Sequence, residues 1–324
     1  MNAFEYVAPT SIKDAIAALN PNAKPMGGGI DLVQEIKDEI IAPERVVNLK
    51  TIPGLTEIRA DNRGVTFGAL CTLSAIANHA QVKARFPGIA QAAASVGSPQ
   101  IRNVGTIGGN LCQRPRCWYY RDHAVNCMKK GGPKCYSVAG ENQYHAILGG
   151  GPCFIVHPSD LAPALMAYGA QVTIAGPKGE REMDLAEFFV LPSKKVTVEN
   201  ILAADEIVTK VFVPAGTANS AYVKVRERES FDWALASAAV ALTISNGVCE
   251  SAKVVMGGVA PIPWRSPEAE AALKGKKIDD AVALAAGAAA VSKAIPMTQN
   301  AYKMHIAKNA VREAVLLAAG LAAG

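Results

Sequence analysis

Aromatic residues fill only 6% of this 324-residue sequence, too few for the stacking platforms that hold single-stranded nucleic acid. Charge of one sign is also short: 33 lysines and arginines face 28 acids, leaving a net charge of +5. The one dense basic stretch runs from Arg114 to Lys134. Nucleic acid is therefore not an expected partner. No uncharged apolar run reaches the roughly 18 residues of a membrane-spanning helix. The alanine-rich stretch from Asp280 to Val291 is too short for that and reads as a packed helix. The opening MNAFEYVAPTSIKDAI lacks a basic region followed by an apolar one, so it does not read as a signal peptide. A nucleophile elbow, an HExxH helix, a kinase signature, a G-x-G-x-x-G turn and a Gly-Lys-Ser/Thr P-loop are all missing. No catalytic residue is assigned. The chain reads as a holder of cofactors without its own substrate-transforming apparatus.

The length suggests two domains, and a 50% share of hydrophobic residues is enough for a buried core. Near the N-terminus, Ser11 and Asp14 resemble a capping box for the helix IKDAIAAL. AKPM then runs into Gly27-Gly28-Gly29, a helical period resumes in IDLVQEIKDEI, and RVVNL reads as a strand, giving a βαβ-like alternation. VTFGAL is expected as a strand leading into two short helical stretches. VGSPQIRNVGTIGGNL reads as loop and turn, FIVH as a short buried strand, and AQVTIAG and Ile207 to Val213 as further strands. Asn246-Gly247 between two alternating runs predicts a hairpin. The expected fold class is α+β. An N-terminal unit spans about residues 1–215, and residues 216–324 form a three-stranded antiparallel sheet with alanine-rich helices.

Two glycine-bearing segments suit a dinucleotide. In Met26-Gly27-Gly28-Gly29-Ile30-Asp31, three glycines leave main-chain N–H groups unshielded at a helix start, where phosphate oxygens are accepted. The segment from Gln100 to Leu111 gathers Thr106, Gly109 and Asn110, whose hydroxyl, close backbone approach and amide suit a ribityl and pyrophosphate chain. Either alone also reads as a plain turn; two in one domain hold a long ligand at several points. Asp160 sits at a helix N-terminus, by default an N-cap, and Lys224 lies on a strand, by default a solvated charge. Near a flavin edge, such a cation would stabilise the anionic hydroquinone.

Seven cysteines is an odd number, and five (Cys112, Cys117, Cys127, Cys135 and Cys153) fall in one short window; Cys71 and Cys249 read as buried thiols. A disulfide scaffold does not suit a chain of this length. Structural zinc prefers close C-x2–4-C pairs, and none occurs among Cys117, Cys127, Cys135 and Cys153. Wide spacing is more natural for a cubane, whose iron corners take thiolates from separate segments. Spacing therefore favours [4Fe-4S], with zinc and unliganded thiols left open. The window shows little periodicity, as a segment ordered by an inorganic group would.

PMGGGIDL, QIRNVGTIGGNL and HPSDLAPALMAYGA together resemble the FAD-binding medium subunits of the xanthine dehydrogenase and aldehyde oxidase family, across essentially the whole chain. LCQRPRCWYYRDH and GENQYHAI look closest to the aldehyde oxidoreductase branch, whose flavin subunits hold an additional [4Fe-4S] cluster. The resemblance implies a two-subdomain flavin domain of the p-cresol methylhydroxylase type, then a C-terminal domain of the carbon monoxide dehydrogenase flavoprotein type. It implies FAD contacts from Met26, Gly27, Gly28, Gly29, Ile30 and Asp31 to the pyrophosphate. It adds contacts from Thr106, Gly109 and Asn110, with Asp160 and Lys224 nearer the flavin. It implies Cys117, Cys127, Cys135 and Cys153 as cluster ligands and Cys112 as a non-ligand; Gly29 stands where relatives often carry Thr. Partners would be a molybdenum-cofactor large subunit and a small subunit with [2Fe-2S] clusters, passing electrons to FAD and an external acceptor. The overall reaction would be aldehyde oxidation. Alternatives are a xanthine dehydrogenase or 4-hydroxybenzoyl-CoA reductase type of complex, a free-standing flavodehydrogenase, and a zinc-stabilised interaction subunit. The expected compartment is cytoplasmic, or periplasmic by export with a partner bearing a twin-arginine signal.

Overall fold

The computed structural model describes residues 1–216, 219–229 and 231–322. The βαβ alternation at the N-terminus closes a parallel sheet in which Arg45–Asn48 lies between Glu5–Val7 and Ala23–Met26. The helix Ile12–Ala17 is capped as expected: the Ser11 hydroxyl oxygen accepts the Asp14 N–H at 3.1 Å. Ala15, Leu19, Ala23, Val47 and Leu49 pack with Ile52 and Leu70 into a small core of their own.

A second sheet has five antiparallel strands in the order Ile58–Ala60, Gly64–Gly68, Ile207–Pro214, Gln171–Gly176, Gly179–Asp184. VTFGAL leads into three short helices, Leu73–Asn78, Ala80–Arg85 and Pro87–Ser95, one more than the periodicity predicts. They share the main core with Phe67, Leu161, Val172 and Val211.

The third sheet holds the predicted hairpin. Ala236–Ser245 and Val248–Gly257 pair antiparallel across Asn246 (φ +51°) and Gly247 (φ +79°), the backbone a tight primed turn demands. Ser220–Val225 flanks one side. The sheet has four strands rather than three, because Trp264–Arg265 adds a two-residue edge too short to show a period. The alanine-rich stretch is indeed a helix, Asp280–Ala290, packed on Tyr302–Ala318. A Cβ at Gly287 would stand 2.3 Å from the Lys308 carbonyl, so small side chains let the two helices close together. Tyr222, Ala239, Ala241 and Val255 belong to the main core, so packing runs unbroken between the N- and C-terminal parts.

Two other readings change. Residues 98–112 contain two short helices, Pro99–Val104 and Ile107–Cys112, where loop was expected. Ser98 and Thr106 cap them with their hydroxyl oxygens, and Pro99 sits in the first turn, where its missing N–H costs nothing. FIVH, expected as a strand, carries no regular secondary structure; it is fixed by single bonds such as His157 N–H to the Ala260 carbonyl at 2.9 Å. No helix of the described residues is long and apolar enough to cross a membrane.

Candidate cofactor site

Chain direction brings the two glycine-bearing segments together. Ala23–Met26 ends at Gly27, and Gly29, in the left-handed region at φ +78°, opens the helix Ile30–Lys37 without any side-chain cap. The first N–H groups of that helix therefore have no partner within it. A Cβ at Gly28 would stand 2.1 Å from the Val104 carbonyl oxygen, and one at Gly27 would stand 3.0 Å from the Thr106 hydroxyl. The absence of side chains lets the segments touch. Beyond its chain neighbours and its own helix backbone, such a Cβ at Gly109 would meet only the Thr106 hydroxyl among the described residues, so that face is open.

Between them lies a cleft with two adjoining chambers, about 820 and 340 Å³. Ile30, Asp31, Ile101, Arg116 and Trp233 line both. Met26, Gly27, Gly28, Gly29, Thr106, Gly109 and Asn110 line the smaller one, and Asp160 lines the larger. Lys224 is not on the cleft wall. It reaches the wall only through Asp160, whose carboxylate accepts Lys224 Nζ at 2.6 Å and the Tyr222 hydroxyl at 2.7 Å, with both charged side chains buried. Neither default reading of these two residues stands, since Lys224 is desolvated and Asp160 makes no cap bond. Ser159 does the capping: its hydroxyl accepts the Ala162 N–H at 2.9 Å and donates to Asn110 Oδ1 at 2.5 Å, tying HPSD to the second glycine-bearing segment.

Side chains that sequence reasoning left unassigned complete the wall. Arg114, Arg116 and Tyr120 line the smaller chamber, and Arg116 sits over the Trp233 ring, 4.3 Å from its centroid. Their signal in the sequence is the dense basic stretch from Arg114 to Lys134. On the wall of both chambers, the Asp31 carboxylate takes the Arg114 N–H at 2.7 Å, Arg121 Nη2 at 2.7 Å and Arg116 Nη1 at 2.8 Å. Nearby, Tyr120 donates to Glu35 Oε1 at 2.5 Å, and burial pushes the Glu35 carboxyl above its usual range.

Cys117, Cys127, Cys135 and Cys153 line one small cavity beside the cleft, and Cys117, His145 and Ile155 are shared by both. Cys112 is set apart, in the wall of the smaller chamber, where burial pushes its thiol up to about 12. Scarce overall, aromatic side chains gather here: Tyr119, Tyr120 and Tyr136 line the cavity, and Trp118 packs edge-on against Tyr144 and His145. A hydrogen bond from the Cys153 thiol holds Cys135 far below the ordinary thiol range, at about 5. His145 Nε2 lies 3.3 Å from Cys117 Sγ, and burial lowers its imidazole to about 4. Among the described residues, no group of three or more His, Cys, Asp or Glu side chains is arranged to hold a single metal ion. The cavity the four thiols line has a volume of about 10 Å³, room for about one water, and Cys135 and Cys153 are in hydrogen-bond contact across it.

Residues 2–216 match the family described as the FAD binding domain in molybdopterin dehydrogenase, and residues 220–318 match the CO dehydrogenase flavoprotein C-terminal domain. The chain belongs to the FAD-binding medium subunits of the molybdenum hydroxylases. It is 33% identical over 320 residues to the aldehyde oxidoreductase FAD-binding subunit PaoB of Escherichia coli, covering 95% of this chain and 96% of that one. It is 30% identical over 282 residues to the nicotinate dehydrogenase FAD-subunit of Eubacterium barkeri, covering 85% and 81%. Carbon monoxide dehydrogenase from Hydrogenophaga pseudoflava superposes with a TM-score of 0.77 at 28% identity over 98% of each chain. This medium subunit is thus an FAD-binding part of an oxidoreductase. The open glycine face and the two-chambered cleft suit a long dinucleotide.

Proposed function

We propose that this medium subunit is the electron-transfer component of a heteromeric molybdenum hydroxylase and carries FAD together with one [4Fe-4S] cluster. Its partners are a large subunit with the molybdenum cofactor and a small subunit with [2Fe-2S] clusters. The overall reaction is oxidation of an aldehyde to a carboxylic acid. One observation carries the reading: four cysteines from separate turns of a loop face one cavity that adjoins the flavin cleft. The aldehyde assignment draws support from the likeness to PaoB over nearly the whole of both chains.

When bound, the flavin passes electrons singly or in pairs, and so matches one-electron clusters to a two-electron acceptor. The chain's own residues do the holding. The unpaired N–H groups after Gly29 face the diphosphate, and Thr106 and Asn110 fix the second segment against the first. Lys224 acts through Asp160, locking its carboxylate in one orientation beside the larger chamber. Cys117, Cys127, Cys135 and Cys153 are the thiolates for the iron corners, and their soft sulfur suits iron–sulfur better than a hard cation.

Anaerobic purification with its co-purifying polypeptides tests the reading. The expected product is a yellow-brown complex with flavin, iron and acid-labile sulfide in excess of its [2Fe-2S] content, oxidising aldehydes. A colourless chain containing zinc would instead mark an interaction subunit. Substrate oxidation by the isolated chain would mark a free-standing flavodehydrogenase.

A further inference from the structure

Asp31 joins the glycine loop to the cysteine-bearing loop. It is the second residue of the helix that starts after Gly29, and its three donors all come from the stretch around Cys117: the Arg114 main chain, Arg116 and Arg121. Farther along, Arg114 Nη1 and Lys129 Nζ both pair with the buried Glu199, at 3.0 and 2.7 Å. Lys129 follows Cys127 in the next turn. The entry of the cysteine-bearing loop and the turn after its second thiol are therefore pinned to one acid. The loop is built mostly of single turns, with little regular hydrogen bonding to hold it.

We propose that the cysteine-bearing loop is one wall of the dinucleotide site, with Arg116 as a cation facing the FAD diphosphate, and that FAD and the cluster bind cooperatively through Asp31. The inference rests on the reading that the chain holds both groups. An irregular loop of this length is costly to order, and thiolates bound to a common centre supply the ordering. With the loop ordered, the charge of Asp31 is neutralised by three N–H donors before an anionic diphosphate arrives. With the loop relaxed, Asp31 stands as a bare carboxylate near two phosphates and repels them. Arg116 also loses its place over Trp233. Linkage makes the effect reciprocal, so bound FAD protects the cluster by the factor with which the cluster strengthens FAD.

The test uses the full 324-residue chain, freed of flavin, with its iron either intact or stripped by a chelator. Stripping is expected to raise the FAD dissociation constant about tenfold, within the usual range of coupling between sites. In Arg116→Met and in Asp31→Asn, affinity should start weaker and respond little to stripping, while iron content stays at the starting level because neither residue is a ligand. FAD should also slow the loss of iron to the chelator in the parent chain but not in Arg116→Met. Equal FAD affinity in the loaded and stripped chains overturns the coupling, and parent-like FAD affinity in Arg116→Met overturns the role of that cation. A chain isolated anaerobically with neither flavin nor iron overturns the underlying reading instead.

Discussion

Lys224 Nζ lies 2.6 Å from Asp160 Oδ2, and the two charges satisfy each other out of contact with water, with Tyr222 taking the second carboxylate oxygen. Removing one partner of such a pair strands the other, which costs about 3–5 kcal/mol. Lys224→Met should lower stability by that amount in urea titration. Lys224→Met combined with Asp160→Leu should recover much of the loss. A single variant as stable as the parent would show that the pair does not form.

The two glycine-bearing segments separate packing from ligand binding. Gly28→Ala puts a methyl against the Val104 carbonyl and is expected to destabilise the fold by about 1–3 kcal/mol. Gly109→Ala meets only the Thr106 hydroxyl and improves helix propensity. It should leave the melting temperature near the parent value and weaken FAD by something on the order of tenfold, or about 1.4 kcal/mol. Flavin fluorescence titration decides. If Gly109→Ala binds FAD normally, that face does not meet the cofactor.

Acid sensitivity follows from His157. The ring is buried, its Nδ1 accepts the Ser159 N–H at 3.3 Å, and burial lowers its pKa from 6.5 to about 3. The unfolded chain takes up a proton below pH 6.5 that the folded chain refuses until about pH 3. Stability from this group is complete above pH 6.5 and is lost as pH falls through that window. Between pH 6.5 and 5 the loss is about 2 kcal/mol. His157→Gln should flatten the dependence in urea titrations at both pH values. An unchanged slope would place the titrating group elsewhere.

The cysteines divide in the same experiment. Cys135→Ser removes a thiol from the shared cavity and should lower bound iron far more than bound flavin, the flavin weakening rather than disappearing. Cys112→Ser alters a thiol in the flavin cleft and should keep its iron. Iron and acid-labile sulfide assays on both variants check this. Full iron in Cys135→Ser would remove that residue from the ligand set.

Features governed by neighbours in the chain were legible in the sequence. Ser11, Asn246-Gly247 and the alanine-rich helix each carry their instruction locally, in a cap, a primed turn or a period. The Ser98 and Thr106 caps were equally local but were masked by the glycine around them, which reads as loop. Legibility fell where two distant segments settle a residue's role. Nothing near Lys224 announces Asp160, and nothing near Asp31 announces three donors from the far side of the cleft. Such pairings are decided by desolvation, which only the folded chain imposes.

The stretch 142–146 that flanks the thiol cavity is stitched to the last part of the polypeptide by several hydrogen bonds. Asn142 exchanges bonds with Gln299 and donates to Thr298, Asn300 donates to the His145 carbonyl, and the buried Lys303 ammonium holds the carbonyls of Tyr144, His145 and Gly258. A chain still on the ribosome, short of residue 298, has made all four thiols yet lacks the clamps that set His145 beside Cys117. On the proposed reading the thiols would take up iron only after residues 298–303 have been made, and a truncation that removes those residues would leave the sulfur without its enclosure.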